Sequence, residues 1–280
     1  MPGPRRVRVV SDSTADLPED LVVQWGIQVV PLRVHFGEET FRDGLDMPAE
    51  AFHARLARGE FPATSQPPLG VLRRAYEQAT AGGGDAIAIH LSSRLSGTYQ
   101  AALLAAEQVD GRVAVVDSGQ LSMAVGWLVL AAAEAAREGR SLDEIVGLVE
   151  EMKQRAWVPA LIENLEYFRR GGRIGRAQAV VGTLLGIRAI LALQGGETVL
   201  VDRVRTRQAG LRRLVERVAA LGPLERICVV HANAAEDARR VARDLAPIWP
   251  GREIRIVPAG QVVTIHVGPR AVGVACVRAR

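Results

Sequence analysis

The chain has 280 residues, enough for two domains of ordinary size, each able to bury its own core. Hydrophobic residues make up 48% and charged residues 24%, a balance that excludes a disordered chain. The net charge of +4 comes almost wholly from arginine, since Lys153 is the only lysine, and aromatic residues total only 4%; that composition argues against a single-strand nucleic-acid surface, which needs stacking rings among its basic residues.

Residues 1–8 carry no apolar signal-peptide core. The most apolar later stretch, residues 121–136, contains Ser122, Gly126 and Glu134, so it reads as a buried helix and not a membrane span. Cys228 and Cys276 each lie in an apolar run, as buried thiols do, and suggest neither a disulfide nor a zinc framework. The reduced cytoplasm is the expected compartment.

Short β-branched runs alternate with helical patterns from the start of the chain. Strands are expected at residues 7–10, 27–36, 86–91 and 113–116, and helices at 18–25, 70–81, 98–108 and 122–138. This alternation is the mark of βαβ units and a parallel sheet. Near Ala156 the pattern changes to a glycine- and arginine-rich segment, residues 169–176, and an apolar stretch, residues 179–193. A strand at 198–204, a helix at 208–220, a strand at 226–231, a helix at 236–245 and strands at 253–257, 262–265 and 272–277 follow. The expected fold is α/β: an N-terminal Rossmann-like parallel-sheet domain over 1–155 and a smaller C-terminal α+β domain over 156–280.

In an open parallel sheet, ligands bind beyond the carboxyl ends of the strands. Three loops at such positions are rich in hydroxyls: Ser11-Asp12-Ser13-Thr14-Ala15-Asp16-Leu17-Pro18, Ser92-Ser93-Arg94-Leu95-Ser96-Gly97-Thr98 and Asp117-Ser118. All should converge on one rim. Such residues also serve as plain helix caps. Ser96, in front of Gly97 and Thr98 at a helix start, is the best placed to meet an anion. Thr64-Ser65 precedes Gln66-Pro67-Pro68, whose prolines stiffen a clamp-like loop. Of the five histidines, His35, His53, His90 and His231 read as structural or surface residues, and no pair has metal-ligand spacing. His266 stands apart because Gly268-Pro269 follows it in a turn.

These segments, with Gly171-Gly172-Arg173-Ile174 and His266-Val267-Gly268-Pro269, resemble the DegV family of bacterial lipid-binding proteins, and the resemblance runs along essentially the whole chain. It implies two α/β domains with a long-chain fatty acid in a tunnel between them. The resemblance further implies a carboxylate hydrogen-bonded by Thr64, Ser96 and His266, with Ser65 close by, and no cofactor, metal or catalytic residue. The implied role is accessory: a partner fatty acid kinase phosphorylates the bound lipid to an acyl phosphate. Arg270 stands where the family usually has glycine, and Arg188-Ala189 where it tends to have Lys-Pro.

Candidate walls for the tail are Val180, Val181, Leu184, Leu185, Ile187 and Ile190, and a docking face for the kinase could use Arg169, Arg170, Arg173, Arg176, Arg203, Arg205 and Arg207. Two other readings compete. A serine hydrolase would use Ser96, His266 and Asp12 or Asp117, although Ser96 lacks the Gly-x-Ser-x-Gly elbow. A phosphosugar or nucleotide binder would use the same hydroxyl-rich loops, but the chain has no Gly-x-x-x-x-Gly-Lys motif.

Overall fold

Strand β1 (Val7–Asp12) runs through a single 3-10 turn, Ser13–Ala15, and helix α1 (Glu19–Trp25) into β2 (Gln28–Val30), which pairs parallel with β1. The single strand expected over 27–36 is divided. Pro31 offers no N–H for a ladder, and the chain leaves the sheet to form β3 (Arg33–Phe36) in a second one. That small antiparallel sheet, order β4-β3-β5, adds β4 (Glu39–Arg42) and β5 (Ala63–Ser65), with helix α2 (Ala49–Ala57) between them.

Helix α3 (Leu69–Thr80), β6 (Asp85–His90), α4 (Thr98–Ala106), β7 (Val113–Asp117), α5 (Met123–Arg137) and α6 (Leu142–Met152) follow. The first sheet has the order β2-β1-β6-β7 and every pairing in it is parallel. Its four strands therefore end on one rim. Side-chain alternation along the strands feeds two cores. Val7, Val9, Ile87 and Ile89 pack with α5 and α6, while Val10, Ala86 and Ala88 pack with Leu72 and Tyr76 of α3 and Ala102 of α4.

The computed structural model describes residues 6–175 and 187–280. The second half comprises β8 (Ala156–Trp157), β9 (Ala160–Ile162), α7 (Leu165–Gly171), β10 (Arg188–Gln194), β11 (Glu197–Val204), α8 (Arg207–Ala219), β12 (Leu224–His231), α9 (Ala235–Leu245), β13 (Arg255–Pro258), α10 (Gln261–Val267) and β14 (Val272–Arg278). They form a seven-stranded sheet of order β11-β10-β9-β14-β12-β13, with β8 beside β14. Only β12 and β13 pair parallel; the other pairings are antiparallel. The chain thus has the mixed α/β fold, parallel sheet first, that its pattern indicates.

Helices α8 and α9 cover one face of this sheet. The other face receives α5, which lies between the two large sheets with twelve of its fifteen residues buried. A helix buried all round must be apolar all round, which is why residues 121–136 read as they do.

Two further expectations fail. Residues 262–265 form not a strand but the middle of α10. Val262 and Ile265, three apart, pack on Val34, Phe36 and Phe52, while Val263 and Val267, four apart, pack on Leu165 and Phe168. Burial on two faces at helical spacing outweighs the β preference of branched side chains. Ile190 is also misplaced as a tail-contacting residue. It packs in the core beneath α8 and α9, and its neighbour Leu191 faces the other way. Val180, Val181, Leu184, Leu185 and Arg176 lie outside the described residues, and Ile187 is half-buried beside β10.

Candidate ligand-binding site

A cavity of about 590 Å³ opens between the small sheet, the loops at the rim of the parallel sheet and the face of the large sheet that α10 crosses. Its apolar lining includes Leu91, Leu95, Leu121, Ile162, Phe168, Leu191, Leu193, Val230 and Val263. Its polar lining gathers Thr64, Ser65, Gln66, Ser96, Arg173 and His266. Thr64, Ser96 and His266 lie far apart in sequence, and the fold brings all three to one cavity.

Thr64 Oγ1 and His266 Nε2 share a hydrogen bond of 2.9 Å. Burial, and secondarily the charge of Arg173, hold the His266 imidazole down to about 4, so the ring is neutral at pH 7. Its Nδ1 is buried without a hydrogen-bond partner. Gly171 allows the ring this position, since a Cβ there would lie 2.4 Å from Nδ1. Ser96 is backed in the same manner. Its Oγ lies 2.9 Å from Thr98 Oγ1 and accepts from Thr98 N–H at 3.3 Å. The Gln66 side chain lies against Gly97, so the clamp-like loop does cross the start of α4.

Ser65 is placed differently from its expected neighbourhood to the head group. Along β5 the side chains alternate, and Ser65 Oγ points outward to His35 Nε2 at 2.8 Å, although the residue borders the cavity. Arg173, counted among docking residues, instead lines the cavity and donates to Leu95 O at 3.1 Å and Gly171 O at 2.7 Å. Gly172, in the left-handed region at φ 66°, ends α7 and turns Arg173 back toward the site. Arg207 is likewise inward, paired with Glu163 and Asp237, and Glu163 also holds Arg188. Arg169 and Arg170 share Glu166, whereas the side chains of Arg203 and Arg205 are exposed. Arg270 takes φ 66°, the conformation that favours glycine, and its side chain is exposed.

The hydrolase constellation does not assemble. Asp12 Oδ2 bonds His90 Nδ1 at 2.9 Å, and Asp117 accepts from Ser93 Oγ, so neither acid serves His266. Among the described residues, no group of three His, Cys, Asp or Glu could hold a metal ion, and no helix is long and apolar enough to cross a membrane.

A second polar group borders the cavity through Thr14 and Ser122. Asp16 Oδ1 accepts from Gly260 N–H at 2.9 Å and Oδ2 from Ser122 Oγ at 2.5 Å. Asp43 Oδ1 accepts from the N–H groups of Gln261 and Val262 at 3.1 and 3.3 Å. Burial pushes Asp16 up to about 7 and raises Asp43 as well, with Asp12 and, for Asp16, Asp43 adding like charge. Sequence reading missed both as a pair, because they act on a helix more than two hundred residues away.

Known proteins resemble this chain along nearly its whole length. A DegV domain-containing protein of Streptomyces coelicolor is 36% identical over 274 residues, covering 96% of this chain and 98% of the relative. A DegV family protein from Thermus thermophilus, described for its fatty acid binding, superposes with a TM-score of 0.91 at 33% identity, covering 98% of this chain and 100% of that one. DegV of Bacillus subtilis, described as a fatty acid binding protein, gives 0.89 at 34% identity with the same coverage. The family described as "Uncharacterised protein, DegV family" matches residues 6–279, nearly the full length, and the chain belongs to the DegV family.

Proposed function

We propose that the cavity holds a long-chain fatty acid, with its carboxylate at Thr64 and Ser96 and its tail along the apolar lining. The observation that carries this reading is that each of these hydroxyls has a second polar group behind it. With the neutral His266 ring donating to Thr64 Oγ1 and Thr98 Oγ1 donating to Ser96, both front hydroxyls keep a proton for the ligand. Arg173 supplies positive charge at the same wall. Desolvating a carboxylate is costly unless such donors meet it. The tail would contribute about 0.8 kcal/mol for each buried methylene, so it supplies most of the gross affinity and the head group sets orientation.

On this reading the protein acts in the cytoplasm as an accessory that presents its lipid to a partner kinase for acyl-phosphate formation, and residues 1–155 and 156–280 act as the two domains flanking the ligand. Arg203 and Arg205 are the docking candidates, because both are exposed and the other described arginines of that group are paired or turned inward. Reversing both to Glu should leave lipid affinity near wild type and slow phosphorylation, most visibly at low salt. Loss of lipid binding in that variant would put these arginines in the fold.

Native mass spectrometry of the purified protein, followed by lipid extraction, tests the main reading. A fatty acid mass supports it; a sugar phosphate or nucleotide mass overturns it. A fluorophosphonate should leave Ser96 unlabelled, since nothing activates that hydroxyl as a nucleophile.

A further inference from the structure

Helix α10 carries His266 at its C-terminal end and is unusual in how it is held. Among the described residues, six buried side-chain nitrogen or oxygen atoms lack a hydrogen-bond partner, and three of them, on Gln261, Thr264 and His266, belong to this seven-residue helix. Its polar anchorage is therefore concentrated at its start. There the carboxylates of Asp16 and Asp43, 7% and 3% exposed, take the N–H groups of Gly260, Gln261 and Val262. Gln261 Nε2 adds a bond to Met47 O at 2.6 Å.

Both carboxylates belong to segments of the first half, and Thr64, the partner of His266, does too. The anchor at one end of α10 and the head-group contact at the other are thus fixed by the same part of the chain. The cost of the anchor is visible. Asp16 and Ser122, joined by the 2.5 Å hydrogen bond, are both non-glycine residues at positive φ, 50° and 57°. Asp43 Oδ2 is buried with no partner in hydrogen-bonding geometry, although the Ser13 hydroxyl lies near it. A protein would shed such a costly arrangement if packing alone placed the helix.

We propose that Asp16 and Asp43 are positioning residues for the head-group site: by gripping the start of α10 they hold His266 against Thr64. The proposal rests on the fatty-acid reading for its effect on affinity, but not for its effect on His266 itself.

The test compares wild type with Asp43→Ala and Asp43→Asn, using palmitate titration and the imidazole ¹⁵N resonances of the ligand-free protein, with His35 and His90 as internal controls. Asp43→Ala should weaken palmitate binding by about tenfold or more and shift the His266 resonances while leaving His35 and His90 in place. Asp43→Asn keeps an oxygen acceptor for the two N–H groups and should restore both readouts to within about threefold of wild type. If Asp43→Ala does not fold, Gly260→Ala takes its place. Its methyl would sit 3.0 Å from Asp16 Oδ1, so the contact between this carboxylate and the helix start must give, and the same His266 shift is expected. Folded variants with wild-type affinity and unmoved His266 resonances overturn the proposal. A wild type that takes up no palmitate sinks the fatty-acid reading instead, and the resonances alone then judge the positioning.

Discussion

Two buried polar regions flank the cavity, and they are finished to different degrees. Beneath the rim of the parallel sheet, Asp12 accepts from Thr14 N–H, Thr14 Oγ1, His90 Nδ1 and Leu91 N–H, and His90 Nε2 meets Tyr76 OH at 2.9 Å. Each of these groups is paired. On α10 one atom each of Gln261, Thr264 and His266, namely Oε1, Oγ1 and Nδ1, is buried and left over. The first region is framework, fixing the loop that leads to Ser96. The second leaves hydrogen-bonding capacity unused on a helix that brings His266 to the cavity, and a folded protein retains such groups at a cost that only function or positioning repays.

The largest effect should come from the finished network. Asp12→Ala strands three N–H or O–H donors and a histidine in a region of zero exposure, and should cost about 3–5 kcal/mol of stability by urea denaturation. A loss below about 1 kcal/mol would erase the contrast between the two regions.

The Asp16 carboxyl separates them by pH. Its folded value, about 7, lies above the ordinary 3.8, so its contribution to stability is complete below about 3.8 and is lost as pH rises through about 7. His266 runs the opposite way. Held at about 4, below its ordinary 6.5, it contributes stability above 6.5 that is lost as pH falls through about 4. The two slopes oppose each other in wild type. Asp16→Asn removes the first, so unfolding free energies measured from pH 4 to 8 should rise more steeply with pH than in wild type, by up to about 4 kcal/mol across the window. An unchanged profile would mean that Asp16 titrates no differently in the folded chain.

At the head group the ordering should reverse. Ser96→Ala and His266→Ala should each weaken fatty-acid binding roughly tenfold to a hundredfold, because each disturbs hydrogen bonding to a charged oxygen worth about 1.5–3 kcal/mol, while costing less stability than Asp12→Ala. Titration with unchanged affinity in both would remove the head-group assignment. The smallest effect should be a gain. Thr264 is fully buried and its hydroxyl is unpaired, so Thr264→Val should raise stability by about 1 kcal/mol, read as a higher urea midpoint with unchanged slope.

Much of this was legible in the amino-acid order. The alternation of β-branched runs with helical periods marks the parallel sheet, and its hydroxyl-rich loops do meet on one rim. Thr64, Ser96 and His266 reach one cavity because the motifs carrying them end strands or helices that face it. What stayed hidden is long-range. Four branched residues at 262–265 look like a strand until the clusters on both sides of α10 are known, and the carboxylate that starts the helix stands at Asp43. Ser65 and Thr64 differ only in the face of β5 they occupy, which depends on strand register. Arg173 looked like surface charge because a single left-handed glycine decides its direction.

Helix α5 has a consequence for how the chain is made. Its first face meets β1 and β6, which precede it, but its second face waits for β14, and the Trp127 indole N–H donates to Ala275 O in that last strand. At roughly 5–20 residues per second, a ribosome leaves this apolar face uncovered for on the order of ten seconds. Part of this helix therefore stays open to aggregation until β14 has been made. A chain truncated ahead of β14 should be captured by hydrophobic-surface chaperones where a chain that includes β14 is released.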